Sequence, residues 1–156
     1  MTEDRLTTVA FTGHRTYGGQ AAAALRATVG ELYARGFRTF LCGMARGCDQ
    51  YFAEAVLAAR ADGAQDAQLC ALVPCPSQPD GWDEASVARY WALLAACDQL
   101  EVLEDHYSPG CMLRRNREML RRAQLLISVY DGTPGGTAAT VRLAEELGIT
   151  VLPLWM

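Results

Sequence analysis

Lysine is absent from this sequence, and histidine occurs only twice. Its 14 cationic side chains are therefore all arginines, so arginine must supply any cationic contact to a bound phosphate. The 18 acidic residues outnumber them and give the 156-residue chain a net charge of −4. Because non-specific nucleic-acid binding needs a basic face that displaces counterions from phosphates, this charge argues against nucleic acid as a partner.

The sequence also lacks long apolar runs and metal-ligand spacings. Without a stretch of about 18 apolar residues or a charged-then-apolar leader at the N-terminus, we expect neither a membrane span nor a signal peptide, and a cytoplasmic location. No two of the six cysteines have C-x-x-C spacing, which predicts free thiols and no metal site. Cys111 is the thiol to test for reactivity, because it stands at a predicted helix start.

Short apolar runs alternate with amphipathic segments along the chain. Strands are predicted over residues 7–11, 39–42, 69–73, 100–103, 125–129 and 150–154, and helices over residues 21–35, 50–61, 84–97, 112–123 and 138–147. This alternation predicts a Rossmann-like three-layer α/β/α fold with a mainly parallel sheet, whose strands are buried on both faces. The length and the 51% hydrophobic content indicate one domain spanning 1–156. Ligands in such sheets bind beyond the carboxyl ends of the strands.

The glycine-rich turn Tyr130-Asp131-Gly132-Thr133-Pro134-Gly135-Gly136-Thr137 carries the strongest functional signal. It stands between a predicted strand and a predicted helix, where unpaired N–H groups and the positive end of the helix dipole favour an anion. Glycines let an oxyanion approach the backbone closely. We therefore predict that Gly132, Gly135, Gly136 and Thr137 hold a nucleotide or sugar phosphate and that Asp131 contacts its sugar.

Three further turns offer polar groups to the same edge of the sheet. The residues chosen as ligand contacts are Gly13, His14 and Arg15 after the first strand, Gly43, Gly47 and Asp49 after the second, and Arg115 and Asn116 on the fourth helix. Helical spacing places Asn116 in the buried face and Arg115 at its flank, from where it would neutralise phosphate. The alternatives are that His14 is a turn residue, that Asp49 caps a helix, and that the arginines of residues 114–122 form a solvated basic face.

Five motifs in order resemble the YpsA-type branch of the SLOG superfamily, which includes the Lonely Guy phosphoribohydrolases and DNA-processing protein A. They are F-T-G-H-R at 11–15, G-x-A-x-G-x-D at 43–49, P-C-x-x-Q-x-x-x-W at 74–82, M-x-x-R-N-x-x-M at 112–119 and Y-D-G-x-P-G-G-T at 130–137. The resemblance implies a Rossmann-like fold, a nucleotide-derived ligand and a homodimer. Arg115 matches the arginine of the phosphoribohydrolase helix, whereas the position of the catalytic glutamate falls on Val141.

Because valine cannot act as an acid or base, we expect a protein that binds a nucleotide-like phosphate ligand as a sensor, without metal or cofactor. The alternative is a phosphoribohydrolase or other N-glycosidic nucleotide hydrolase in which Asp131, Asp49 or His14 acts as the catalytic group. Whether the chain is an enzyme stays open at this point. A weaker alternative is binding of single-stranded DNA, which the net charge disfavours and the arginine-rich helix supports.

Overall fold

The computed structural model describes residues 5–14, 19 and 21–155, with only the backbone of Trp155. After a short 3-10 turn over Arg5–Thr7, this part of the chain forms six strands and five helices. In chain order they are β1 (Thr8–Gly13), α1 (Ala22–Ala34), β2 (Thr39–Cys42), α2 (Cys48–Ala61), β3 (Gln68–Val73), α3 (Glu84–Ala96), β4 (Gln99–Val102), α4 (Cys111–Arg122), β5 (Leu125–Tyr130), α5 (Gly136–Glu146) and β6 (Thr150–Trp155). Every predicted helix and strand is present, with its ends within two residues of the prediction.

The strands form one parallel sheet in the order β4-β3-β2-β1-β5-β6. Helices α1, α2 and α3 cover one face of this sheet, and α4 and α5 cover the other. Such an arrangement arises because each parallel connection is a right-handed crossover that places its helix on a face of the sheet. The predicted Rossmann-like α/β/α fold with a mainly parallel sheet is confirmed.

Alternate residues of the central strands feed two separate cores. In β1, Val9 and Phe11 pack towards α1 and α2, while Ala10 packs towards α4 and α5. The rings of Phe11 and Phe52 stack with their centroids 4.5 Å apart, which fixes α2 against the middle of the sheet. The apolar runs noted in the sequence are therefore strands that are buried on both faces.

The edge strand β4 departs from this expectation. Leu100 is 51% exposed and Val102 44% exposed, although both belong to the predicted strand 100–103, which was expected to be buried like the others. The strand stands at the end of the sheet, beyond β3, and this position depends on strand order, which the run itself does not encode. At the opposite edge, β6 contains Pro153, a residue that sheets tolerate at their edges because it cannot donate a ladder hydrogen bond.

The strand order reverses beside β1. The chain proceeds outwards from β1 to β4 on one side, then crosses the sheet through α4 and continues with β5 and β6 on the other side of β1. The connections after β1 and β5 therefore diverge to opposite faces and leave a crevice at the carboxyl edge. None of the described helices is long and apolar enough to cross a membrane.

Candidate functional site

A cavity of about 300 Å³ opens at this reversal point of the strand order. One wall comes from the end of β1 and the start of α2, and the other from α4 and the first turn of α5. The lining residues are Phe11, Thr12, Gly13, His14, Ala45, Asp49, Met112, Leu113, Arg115, Asn116, Gly136 and Thr137. The volume is at the lower end of the range for small-molecule pockets, ~300–1,000 Å³.

The first turn of α5 forms the part of the cavity best suited to an anion. Its N-cap residue, Gly135, has φ 146°, and no side chain caps the helix start. A Cβ added at Gly135 or Gly136 would meet no atom within 4 Å, so the backbone is open to a ligand. Thr137 is 5% exposed and lines the cavity beside these glycines. The uncapped N–H groups, the helix dipole and the absence of side chains together suit an oxyanion.

His14 links the end of β1 to the glycine turn. The Asp131 backbone N–H donates to His14 Nε2 at 3.2 Å, and Asp131 Oδ1 lies 3.0 Å from the same nitrogen. Asp131 Oδ1 also accepts hydrogen bonds from the Thr133 hydroxyl at 2.6 Å and from its N–H at 3.0 Å. These bonds from Thr133, together with the nearby His14, hold the pKa of Asp131 below its usual value. His14 lines the cavity, whereas Asp131 and Gly132 are exposed and are not among its lining residues.

Arg115 is buried, which corrects the expectation that it lies at the flank of its helix. The side chain is 3% exposed, and its Nη1 donates to the carbonyl of Gly43, to that of Leu72 at 3.2 Å and to Gln78 Oε1 at 3.3 Å. A Cβ at Gly43 would lie 2.5 Å from Arg115 Cζ, so glycine is what leaves room for the guanidinium. Arg115 therefore joins the carboxyl ends of β2 and β3 and brings a cation to the cavity.

Asn116 continues this hydrogen bonding towards α5. Its Oδ1 accepts from Arg115 Nε at 2.8 Å, and its Nδ2 donates to Thr140 Oγ1 at 3.0 Å. The Thr140 hydroxyl in turn donates to the carbonyl of Gly136 at 2.8 Å. Asn116 is half-buried rather than in the centre of the buried face, and its contacts connect α4 with the first turn of α5.

The turn between β2 and α2 is braced from within. Gly47, with φ 86°, is the N-cap of α2, and no side chain caps this helix. Asp49 is the second residue of α2 and is 6% exposed, and its Oδ2 accepts from the Ala45 N–H at 3.0 Å. The alternative reading of Asp49 as a helix cap is therefore wrong. Its carboxylate holds the preceding turn in place and lines the cavity.

Gly13 has a packing role as well as a place in the cavity wall. A Cβ at this position would lie 2.7 Å from Cys48 Cβ and 2.9 Å from its Sγ. The Cys48 N–H donates to the His14 carbonyl at 3.1 Å, so the start of α2 touches the end of β1 directly. The glycine at the end of β1 is thus required by the close approach of a helix.

Most arginines on the outer face of α4 are paired with glutamates. Arg114 Nε lies 2.9 Å from Glu104 Oε2, and Arg122 contacts Glu101 at 2.7 Å and Glu118 at 2.9 Å. Arg121 Nη1 lies 3.3 Å from Glu118 Oε1. The outer face is therefore exposed to solvent, but three of its arginines have their charge paired with glutamates.

The cavity brings together seven of the predicted contact residues, namely Gly13, His14, Asp49, Arg115, Asn116, Gly136 and Thr137. Five others are not among its lining residues: Gly43 lies against the Arg115 guanidinium, Gly47 and Gly135 are the N-caps of α2 and α5, and Asp131 and Gly132 are exposed. Arg15 lies outside the described residues. Sequence reasoning gave no role to Gln78, although it stands in the 74–82 motif. It is 4% exposed, and its Nε2 donates to the Gly43 carbonyl at 3.1 Å.

The fold and this cavity define a doubly wound, Rossmann-like α/β protein with its candidate site where the strand order reverses. The family model described as the YspA SLOG family (YpsA) matches residues 19–146. The chain therefore belongs to the YpsA family of SLOG proteins, as the sequence motifs predicted. No functionally curated protein matches the sequence.

Two solved structures of DNA processing protein A (DprA) are similar in fold. The X-ray structure of DprA from Streptococcus pneumoniae has a TM-score of 0.70 at 16% identity, over 95% of this chain and 50% of that one. DprA from Helicobacter pylori has a TM-score of 0.68 at 18% identity, over 96% of this chain and 65% of that one. The chain thus spans about half of one protein and just under two thirds of the other, and the likeness shows the fold.

The net charge does not make nucleic acid an unlikely partner, and that expectation is wrong. DprA from Helicobacter pylori has a single-stranded DNA binding mode, so this fold is used by a protein that binds nucleic acid. The physical reason is that net charge is a sum over the whole surface, whereas contact with a phosphate depends on the few groups around it. A net charge of −4 therefore does not exclude such a ligand.

Proposed function

We propose that this protein binds the phosphate of a nucleotide-derived ligand in the cavity at the strand-order reversal. One observation carries the proposal: the uncapped first turn of α5 and the buried Arg115 line the same cavity of about 300 Å³. The helix start supplies N–H donors and the guanidinium supplies charge. Backbone N–H groups and an arginine side chain are the groups with which a protein without lysine can bind a phosphate.

The rest of the ligand would meet the opposite wall. Thr12, His14 and Asp49 line the cavity across from α5 and offer a hydroxyl, an imidazole and a carboxylate. Carboxylates and hydroxyls are suited to the hydroxyl groups of a sugar, and the cavity size fits a mononucleotide better than a dinucleotide. These contacts support a ligand that carries both a phosphate and a polar sugar.

Binding is favoured over hydrolysis by the residue at the expected catalytic position. Val141, which replaces the glutamate of the phosphoribohydrolases, packs against the core formed with α4 and α5. Of the alternative catalytic groups, Asp49 braces its own turn and Asp131 is held by Thr133. Sensing of the ligand, rather than its turnover, is the function that this arrangement supports best.

A second candidate function is binding of single-stranded DNA. It is favoured by the fold shared with DprA from Helicobacter pylori, which has a single-stranded DNA binding mode. A DNA phosphate would use the same helix start and the same guanidinium. The outer face of α4 adds little, because Arg114, Arg121 and Arg122 are already paired with glutamates.

The test is thermal stability with a panel of nucleoside monophosphates, ADP-ribose, NAD, cyclic nucleotides and a single-stranded oligonucleotide, with released base assayed in each sample. A ligand at a hundred times its dissociation constant stabilises by about 2.7 kcal/mol, which raises Tm by roughly 5–10 °C. The site variant is Gly136→Asp, which places a carboxylate where the phosphate would lie. An acid in the first turn of a helix is favourable, so this variant should stay folded while ligand stabilisation disappears.

The matched control is Ala85→Asp, which adds an acid to the exposed first turn of α3, away from the cavity. It should respond to ligand as the wild type does. Base release would replace sensing with hydrolysis, and stabilisation by the oligonucleotide alone would favour the second candidate. If no ligand stabilises the wild type, or if Gly136→Asp binds as well as the wild type does, the proposal fails.

A further inference from the structure

A relay of hydrogen bonds runs from the loop after β3 to the first turn of α5. Gln78 contacts Arg115, Arg115 Nε donates to Asn116, Asn116 donates to Thr140, and Thr140 donates to the carbonyl of Gly136. From Arg115 onwards each side chain donates a hydrogen bond to the next group. These three bonds therefore all point from Arg115 towards the Gly136 carbonyl. Such relays polarise one another and hold a single arrangement of the groups that they join.

Thr140 stands at the point where the relay meets the helix. Its side chain is 2% exposed, and its hydroxyl both accepts from α4 and donates one turn back within α5. A threonine hydroxyl that bonds the carbonyl four residues earlier is a local contact, whereas the bond from Asn116 crosses to another helix. The crossing bond fixes where the N–H groups of the first turn point relative to Arg115.

Gln78 has the corresponding place at the other end. Its amide nitrogen donates to the Gly43 carbonyl at 3.1 Å while its oxygen accepts from Arg115 at 3.3 Å. The side chain is 4% exposed and lies away from the cavity lining. Gln78 therefore contacts the Arg115 guanidinium without lining the cavity itself.

We propose that Thr140 and Gln78 are positioning residues. They would hold the first turn of α5 and the Arg115 guanidinium at the relative position in which both can bind the same phosphate. This inference rests on the proposed function, because it names the residues that shape the same site. Neither residue contacts the ligand. Both act through groups that line the cavity, since Thr140 is bound to Asn116 and Gln78 to Arg115.

The experiment compares Thr140→Val, which removes the hydroxyl at nearly constant volume, with Thr140→Ser, which keeps it. Thr28→Val is the matched control, because Thr28 is a buried threonine of α1 on the other face of the sheet. AMP and inorganic phosphate are the probes, and hydrogen exchange of the α5 amides is measured without them. We expect Thr140→Val to weaken AMP about five- to tenfold and to speed exchange in the first turn, with Thr140→Ser close to wild type.

Gln78→Met is the second variant, in case Thr140→Val does not fold. Gln78→Met should weaken AMP binding by a similar factor and leave hydrogen exchange of the amides in the last turn of α5 unchanged. Equal AMP affinity and equal exchange in Thr140→Val and wild type would overturn the positioning role while the proposed function stands. If the wild type binds neither probe, AMP is not its ligand and the proposed function is decided by the full ligand panel. Unchanged first-turn exchange in Thr140→Val would refute the relay by itself, whichever ligand binds.

Discussion

Replacing Gly43 by alanine should displace the buried guanidinium of Arg115. The added Cβ would lie 2.5 Å from Arg115 Cζ, 2.6 Å from Nη1 and 2.8 Å from Nε. These distances are well inside van der Waals contact, so one of the groups must move. The guanidinium is 3% exposed and is bound by carbonyls of two strands, so it cannot give way without losing those bonds.

The magnitude follows from the bonds that are lost. Arg115 Nη1 donates to the carbonyls of Gly43 and Leu72 and to Gln78 Oε1. A hydrogen bond to a charged group contributes ~1.5–3 kcal/mol, and a buried carbonyl left without a partner costs ~1–3 kcal/mol. Because water can reach the displaced group through the adjacent cavity, we expect a net loss of about 3 kcal/mol. In a domain of this size that lowers Tm by roughly 6–12 °C.

The assay is urea unfolding followed by circular dichroism, with Gly30→Ala as the control. Gly30 lies in α1, and a Cβ there meets no atom within 4 Å, so this variant should gain about 0.5–1 kcal/mol. The decisive comparison is a double-mutant cycle with Arg115→Met, which removes the guanidinium. If the clash is the cause, Gly43→Ala should cost little in that background. An equal cost in both backgrounds would refute this reasoning.

Three further predictions concern other parts of the molecule. Arg122 holds the pKa of Glu101 below its usual value, so the stability that the pair adds is present above the unfolded pKa of ~4.3 and is lost as the pH falls through the lower folded pKa; urea midpoints of wild type and Glu101→Gln should therefore differ at pH 7 and converge in acid. Burial raises the pKa of the Cys42 and Cys48 thiols, so Ellman's reagent should label neither before unfolding, and labelling within seconds would contradict this. Ser128 Oγ is buried without a hydrogen-bond partner in the described part of the chain, so Ser128→Ala should raise the free energy of unfolding by about 1 kcal/mol, and a lower urea midpoint would count against it.

Periodicity was sufficient to predict the elements because nearly all of them bury or half-bury apolar residues against their neighbours, β4 being the exception. Strands such as β5 read as continuous apolar runs, and a helix such as α3 reads as a regular spacing of large side chains. The position of β4 at the edge of the sheet could not be predicted in this way. Strand order depends on which strands pair across the chain, and a four-residue segment such as 100–103, with three apolar residues and Glu101, is compatible with both the centre and the edge.

The geometry of the candidate site could be predicted where it depends on a local sequence pattern, but not where it depends on a residue distant in the sequence. The turn before α5 combines glycines with a helix start, which is visible in a stretch of eight residues. The burial of Arg115 depends on Gly43, which is 72 positions away, and on the carbonyls at the ends of β2 and β3. Helical spacing alone places Arg115 at a flank because it cannot include the space that a glycine on another element leaves.

The pairing of the α4 arginines predicts how the binding of single-stranded DNA would depend on salt concentration. Counting arginines on α4 suggests an extended basic surface, but Arg114, Arg121 and Arg122 are paired with glutamates, whereas Arg115 is buried and lines the cavity. A single-stranded oligonucleotide that binds through the cavity would therefore have one or two of its phosphates neutralised. Because log K falls with log[salt] by about 0.7 for each phosphate contact of a single strand, we expect a slope between about −0.7 and −1.4.

Titration of the protein with a fluorescent oligonucleotide at salt concentrations from about 0.05 to 0.3 M would measure this slope. Glu118→Gln is a useful comparison, because it frees Arg121 and one contact of Arg122 without touching the cavity. If the ion pairs hold these arginines in place, the variant should have a steeper slope than the wild type. A wild-type slope steeper than about −3 would mean that the arginines leave their glutamates for DNA, and the cavity would then not be the main site of contact.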